Sequence, residues 1–117
     1  MPCGNRNPQK RGARVAGPSR VRLDLNSPAF QEIFFRLETA ELKQVAASLD
    51  RLRQLDWSTL YRHKGFHWEA IEHLNAPNGA KVYSLRLSQR IRALAFREGD
   101  FLRSISLHPE HDSAYQT

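Results

Sequence analysis

The sequence predicts an α+β fold: an N-terminal strand, then a two-helix hairpin packed on an antiparallel sheet that ends in a three-stranded meander. Three observations predict it. Val21-Arg22-Leu23-Asp24-Leu25 alternates apolar and polar residues, the period of a half-buried strand. Two apolar stripes at helical spacing follow. The last third of the chain holds three alternating runs, residues 81–88, 90–97 and 101–108, divided by turn signals.

The first helix is expected to start at Asn26-Ser27-Pro28. Ser27 can cap it, and Pro28 suits the first helical position, where no backbone N–H is needed. Phe30, Ile33, Phe34 and Leu37 form its stripe. A second helix is expected over residues 39–55, with Leu42, Val45, Leu49 and Leu52 facing the core and Lys43, Asp50, Arg51 and Arg53 off it. Residues 56–81 follow no single period. There Trp57, Tyr61, Phe66 and Trp68 alternate with Arg62, His63, Lys64 and His67, either as an RNA-contacting strip or as a lid on the core. The lid reading is favoured for Trp57 and Trp68. Asn78-Gly79 signals a turn, and Glu98-Gly99-Asp100 signals a hairpin between the last two strands.

The chain has 117 residues, 40% hydrophobic and 26% charged, the composition of one globular domain. Residues 1–19 are expected to form a disordered basic tail. They carry Arg6, Lys10, Arg11 and Arg14 among prolines and glycines, and the first acidic residue is Asp24. Residues 20–117 form the expected single domain. A lone cysteine, Cys3, excludes an internal disulfide framework and a cysteine-based zinc cluster. No run approaches the roughly 20 apolar residues of a membrane helix, and no apolar stretch follows the N-terminal charges as a secretory signal would require. A cytoplasmic location with no membrane contact is expected. The net charge is +6, and a polyanion such as nucleic acid is the simplest partner for it.

Strand alternation concentrates that charge. Tyr83, Leu85 and Leu87, then Ile91, Ala93 and Ala95, then Phe101, Ile105 and Leu107 are expected to face the helices, with Arg103 an exception among them. The opposite face would carry Ser84, Arg86 and Ser88, then Arg90 and Arg92, then Ser104, Ser106 and His108, with Leu94 and Phe96 as apolar members. Adjacent strands lie about 4.8 Å apart, close enough for these groups to converge on one phosphodiester. The planar guanidinium fork suits that task. An exposed face that is polar for solubility is the alternative, but lysine, glutamate and threonine are absent from these positions. His108, His111 and Asp112 form only a weak metal pattern, so no metal is expected.

Three segments then carry a resemblance: Lys64-Gly65-Phe66-His67-Trp68-Glu69-Ala70-Ile71, Val82-Tyr83-Ser84-Leu85-Arg86-Leu87 and Arg92-Ala93-Leu94-Ala95-Phe96, ahead of a histidine-rich end. With them the chain resembles the RelE/ParE superfamily of toxins from type II toxin–antitoxin systems. The resemblance implies a RelE-like fold over residues 20–115. It implies a ribosome-dependent mRNA endonuclease (an mRNA interferase) that inhibits translation, needs no metal or small-molecule cofactor, and is held inactive by a cognate antitoxin. Matched position by position, it places Arg92 as the phosphate-stabilising arginine, Arg86 as a second basic position and Glu69 as a base. It places His108 or His111 near a general acid and Tyr115 near a terminal tyrosine. Arg90, Lys64, His63, Arg62 and Lys81 are the further RNA-binding candidates. The alternatives are a gyrase-inhibiting toxin of the ParE branch and a non-catalytic RNA- or protein-binding module on the same fold.

Overall fold

The computed structural model describes residues 19–109. Of the expected basic tail only Ser19 falls among them. His111 and Tyr115 lie outside the described residues, as does Asp112.

The chain enters as a short strand, β1 (Arg22–Asp24), and passes into α1 (Pro28–Phe34). Ser27 caps α1 as its sequence position predicts, accepting the Phe30 N–H at 3.2 Å, and its hydroxyl donates to the Ile105 carbonyl at 2.6 Å. α2 (Thr39–Leu52) buries Val45, Ser48, Leu49 and Leu52 along one face. Both helices end about one turn short of the spans read from the sequence.

Residues 56–81 then hold a third helix and a further strand. α3 (Trp57–Arg62) starts at Asp56, whose carboxylate accepts the Thr59 N–H at 2.8 Å. β2 (Glu69–Asn75) follows. A register shift between Ile71 and Asn75 breaks the alternation of β2, so the strand shows no period of two in the sequence.

β3 (Lys81–Arg86), β4 (Arg92–Glu98) and β5 (Phe101–His108) form the expected meander. The β2–β3 turn carries Gly79 at φ 84° and the β4–β5 turn carries Gly99 at φ 63°, as Asn78-Gly79 and Glu98-Gly99-Asp100 predict. The sheet has five strands in the order β1-β5-β4-β3-β2. β1 pairs parallel with β5, so the sheet is mixed and not purely antiparallel as expected. The entering segment is fixed at both ends: Val21 N–H bonds the Leu55 carbonyl and Arg22 N–H bonds the Asp100 carbonyl, each at 2.9 Å.

All three helices lie on one face of the sheet. Phe30, Val45, Leu49, Leu52, Trp57 and Leu60 interleave there with Leu85, Leu87, Ile91, Ala93, Ala95, Leu102 and Leu107. Trp57 and Trp68 are core residues, as favoured: they meet edge to face at 5.5 Å between centroids, and Trp68 stacks on Tyr83 at 4.4 Å. The opposite face carries a smaller apolar cluster of Ile71, Ala76, Val82, Leu94 and Phe96, flanked by Ile105.

One bulge corrects the predicted faces of β5. Leu94 pairs with Ser106 but Ala95 pairs with Ser104, which leaves Ile105 as the extra residue. A one-residue slip moves every preceding side chain to the other face. Leu102 and Ser104 therefore turn toward the helices, and Phe101, Arg103 and Ile105 turn away from them. Arg103 is then no exception to its face. Ser104 is buried there, and its hydroxyl lacks a hydrogen-bond partner.

Candidate functional site

The helix-free face holds a lateral row of three polar side chains. Arg86 on β3 pairs with Arg92 on β4, and Arg92 pairs with His108 on β5. Each step spans one strand, about 4.8 Å. The sequence brings these residues together through the turn of residues 87–91 and the Gly99 turn, and the bulge between the Gly99 turn and the row sets Arg92 opposite His108. All three are half-buried. Like charges directly opposite on neighbouring strands destabilise a sheet, so the Arg86–Arg92 pair works against folding.

Their partners differ. Arg86 Nε donates to the Ser88 carbonyl at 3.3 Å. Arg92 has no hydrogen bond or ion pair with any described side chain. Ser106 Oγ lies 2.8 Å from His108 Nε2. Burial pushes the His108 imidazole below its ordinary pKa, which keeps it neutral at pH 7 and able to take a proton. Arg103, at the other end of the same face, bonds both Glu98 and Asp24. Two carboxylates thus neutralise Arg103, and none among the described residues neutralises Arg92.

Glu69 opens β2 opposite Ser84. It is diagonal to Arg86, a backbone separation of about 7–8 Å. Its carboxylate is exposed and lies 3.8 Å from His67 Nδ1. His67 adopts φ 50°, a left-handed conformation uncommon outside glycine, at the entry to β2. Glu69 therefore flanks the row without belonging to it.

The further basic candidates divide into three places. Arg62, His63 and Lys64 line an open cleft of about 450 Å3 with Tyr61, Trp68 and Glu69. The buried Trp68 indole N–H has no hydrogen-bond partner. Arg90 does not share the face of Arg92. β3 ends at Arg86 and β4 begins at Arg92, and in the intervening turn Arg90 swings to α2 and bonds Glu41 at 2.8 and 3.2 Å. That bond holds the Glu41 carboxyl below its ordinary pKa. Lys81 is five residues along β3 from Arg86, about 16 Å at 3.3 Å per residue, and lies 3.5 Å from Glu72.

Sequence reasoning passed over two cationic groups. Arg97 lies 4.4 Å above the Trp57 ring and donates to the Tyr61 hydroxyl at 2.9 Å, closing the edge of the core. Arg51 sits above the Phe66 ring at 5.8 Å and donates to Ser48 Oγ at 3.1 Å. Its position off the apolar stripe of α2 was legible, but the loop that receives it was not. No helix among the described residues is long and apolar enough to cross a membrane. No protein-family model, curated protein or solved structure matches the chain, so the likeness to RelE/ParE toxins rests on the short motifs quoted above.

Proposed function

We propose that this protein is a metal-independent endoribonuclease that cuts mRNA on the ribosome, acting as the toxin of a type II toxin–antitoxin pair with a cognate antitoxin as its partner. The observation that carries the reading is the in-register row Arg86–Arg92–His108, with Arg92 lacking an anionic partner among the described residues. A phosphodiester seated on the row would relieve the repulsion between the two guanidiniums. It would also supply the negative charge that Arg92 lacks.

The chemistry follows from the groups present. His108, neutral at rest, takes the proton from the ribose 2′-hydroxyl. The 2′-oxygen attacks phosphorus, and Arg92 and Arg86 stabilise the charge that gathers on the non-bridging oxygens. The P–O5′ bond breaks, and the leaving oxygen takes a proton from solvent. The products are a 2′,3′-cyclic phosphate and a 5′-hydroxyl. This assigns the base role to His108, where family likeness alone implies Glu69. The exposed Glu69 carboxylate flanks the row and suits an orienting contact to the substrate.

Expression of the chain without an antitoxin tests the reading. Growth and protein synthesis should stop, and Arg92→Ala should restore both. Unimpaired growth with the wild-type chain at the same protein level would overturn it.

A further inference from the structure

A second cationic site lies at the open end of the sheet, on the helix side of Arg86. An open cleft of about 250 Å3 is bounded there by α2, the loop after α3 and the β3–β4 turn. Arg51, His63 and Arg86 line it, together with Ser48, Phe66 and Ser88. A second cleft of about 360 Å3 extends along α2 past Gln44 and shares Arg51 with the first. Among the described residues no aspartate or glutamate lines either. The neighbouring carboxylates are already engaged: Asp50 bonds Arg53 at 2.8 Å, and Glu41 bonds Arg90.

Arg51 and His63 are held on one buried ring, and the Arg86 backbone is tied to the residue that carries it. Phe66 is 3% exposed. The His63 ring packs on it at 4.8 Å. His63 Nδ1 accepts the Gly65 N–H at 3.1 Å, so the neutral ring carries its proton on Nε2 and presents a donor. Glycine favours that approach, because a Cβ at residue 65 would stand 3.0 Å from the His63 ring and push it by a few tenths of an ångström. Arg51 lies over the same Phe66 ring and is tied to Ser48 Oγ, which in turn donates to the Leu87 carbonyl at 2.5 Å. The Arg86 backbone N–H bonds the Phe66 carbonyl at 2.6 Å, and its side chain bonds the Ser88 carbonyl. Two guanidiniums and an imidazole N–H are thus held before any ligand arrives, with no carboxylate among the described residues lining the cleft. Fixed donors lower the ordering cost of binding.

The geometry points to a second phosphate subsite in this cleft, one that takes an internal phosphodiester of the same RNA strand. It rests on the endonuclease reading for the identity of the strand. Arg86 belongs to the row and also lines the cleft, so a strand leaving the row at Arg86 enters the cleft that Arg51 and His63 line. The cleft adds backbone affinity without base readout, since its donors are charged or fixed and Phe66 is covered.

The test uses the full chain and a short fluorescent 2′-O-methyl oligoribonucleotide, which lacks the nucleophile and cannot be cut. Its affinity is measured against salt concentration. Each phosphate neutralised on a single strand contributes about 0.7 to the slope of log K against log salt. Arg51→Gln should make the slope shallower by about 0.7. Arg51→Lys should keep the slope and weaken binding through loss of the fork. Arg53→Gln, two residues along the chain and outside the cleft, should match wild type in both. Probes ending in 5′-phosphate and 5′-hydroxyl should respond equally to Arg51→Gln. A response confined to the 5′-phosphate probe would overturn the internal-phosphate assignment. An unchanged slope in Arg51→Gln, or no binding by wild type, would overturn the subsite. An Arg51-dependent slope in a protein that cuts no RNA would uphold the subsite and overturn the nuclease.

Discussion

Arg86 and Arg92 stand directly opposite each other on neighbouring antiparallel strands, and Arg92 has no anionic partner among the described residues. Two like charges in that relation oppose folding. Removing one should therefore separate stability from activity. Arg92→Ala should melt at or above the wild-type temperature and lose about 100- to 1,000-fold in RNA cleavage, the range for loss of one charge-stabilising donor. Thermal melts and single-turnover cleavage check the two halves. A marked fall in Tm would make Arg92 a structural residue instead.

Arg103 provides the contrast. It lies on the same face, but Glu98 and Asp24 both bond it. These partners sit on β4 and β1, so the cluster ties the parallel edge strand to the meander. Arg103→Ala should lower Tm and leave cleavage per folded molecule unchanged. Equal damage to cleavage by Arg103→Ala and Arg92→Ala would mean that the face acts only through its overall charge.

His108 gives the pH dependence a sign. Burial lowers its pKa in the folded chain below the roughly 6.5 of an unfolded imidazole. As pH falls below about 6.5, the unfolded chain takes up this proton more readily than the folded one, so stability is lost on the acid side and is fully present above it. Cleavage by a neutral base has the same sign. kcat/KM should rise with pH to a plateau at neutrality, and His108→Ala should abolish the rising limb. A rate that falls on the alkaline side of pH 6.5 would assign His108 the role of acid.

Ser27 links α1 to the strand that carries His108. Its hydroxyl accepts the Phe30 N–H and donates to Ile105, the bulge residue of β5. Ser27→Ala should cost about 1 kcal/mol, a fall of roughly 4–8 °C in Tm for a domain of this size. Chemical denaturation with an unchanged m-value checks it.

The parts of the fold that follow a simple period were legible. The Ser27-Pro28 start, the α2 stripe and the two glycine turns fixed α1, α2 and the meander. The row itself was legible because Arg86, Arg92 and His108 obey strand alternation on the near side of the bulge. What was hidden depends on contacts distant in sequence. The bulge at Ile105 follows from pairing between β4 and β5 and leaves no local signal, so Arg103 and Ser104 were assigned to the wrong faces. β2 was masked by its own register shift, and α3 by its brevity. Arg90 looked like a member of the row until the Glu41 carboxylate, 49 residues away, drew it to α2. Arg51 read as a solvated helix charge because the loop bearing Phe66 and His63 has no periodic pattern.

The central claim is tested most directly by the ends of cut mRNA. Wild-type protein, Arg92→Ala and Arg103→Ala are each added to a translating extract, and the RNA termini are identified. Wild type and Arg103→Ala should leave 2′,3′-cyclic phosphate and 5′-hydroxyl ends within ribosome-bound message, and Arg92→Ala should leave the message intact. Intact message with wild-type protein, or cutting that persists in Arg92→Ala, would contradict the account.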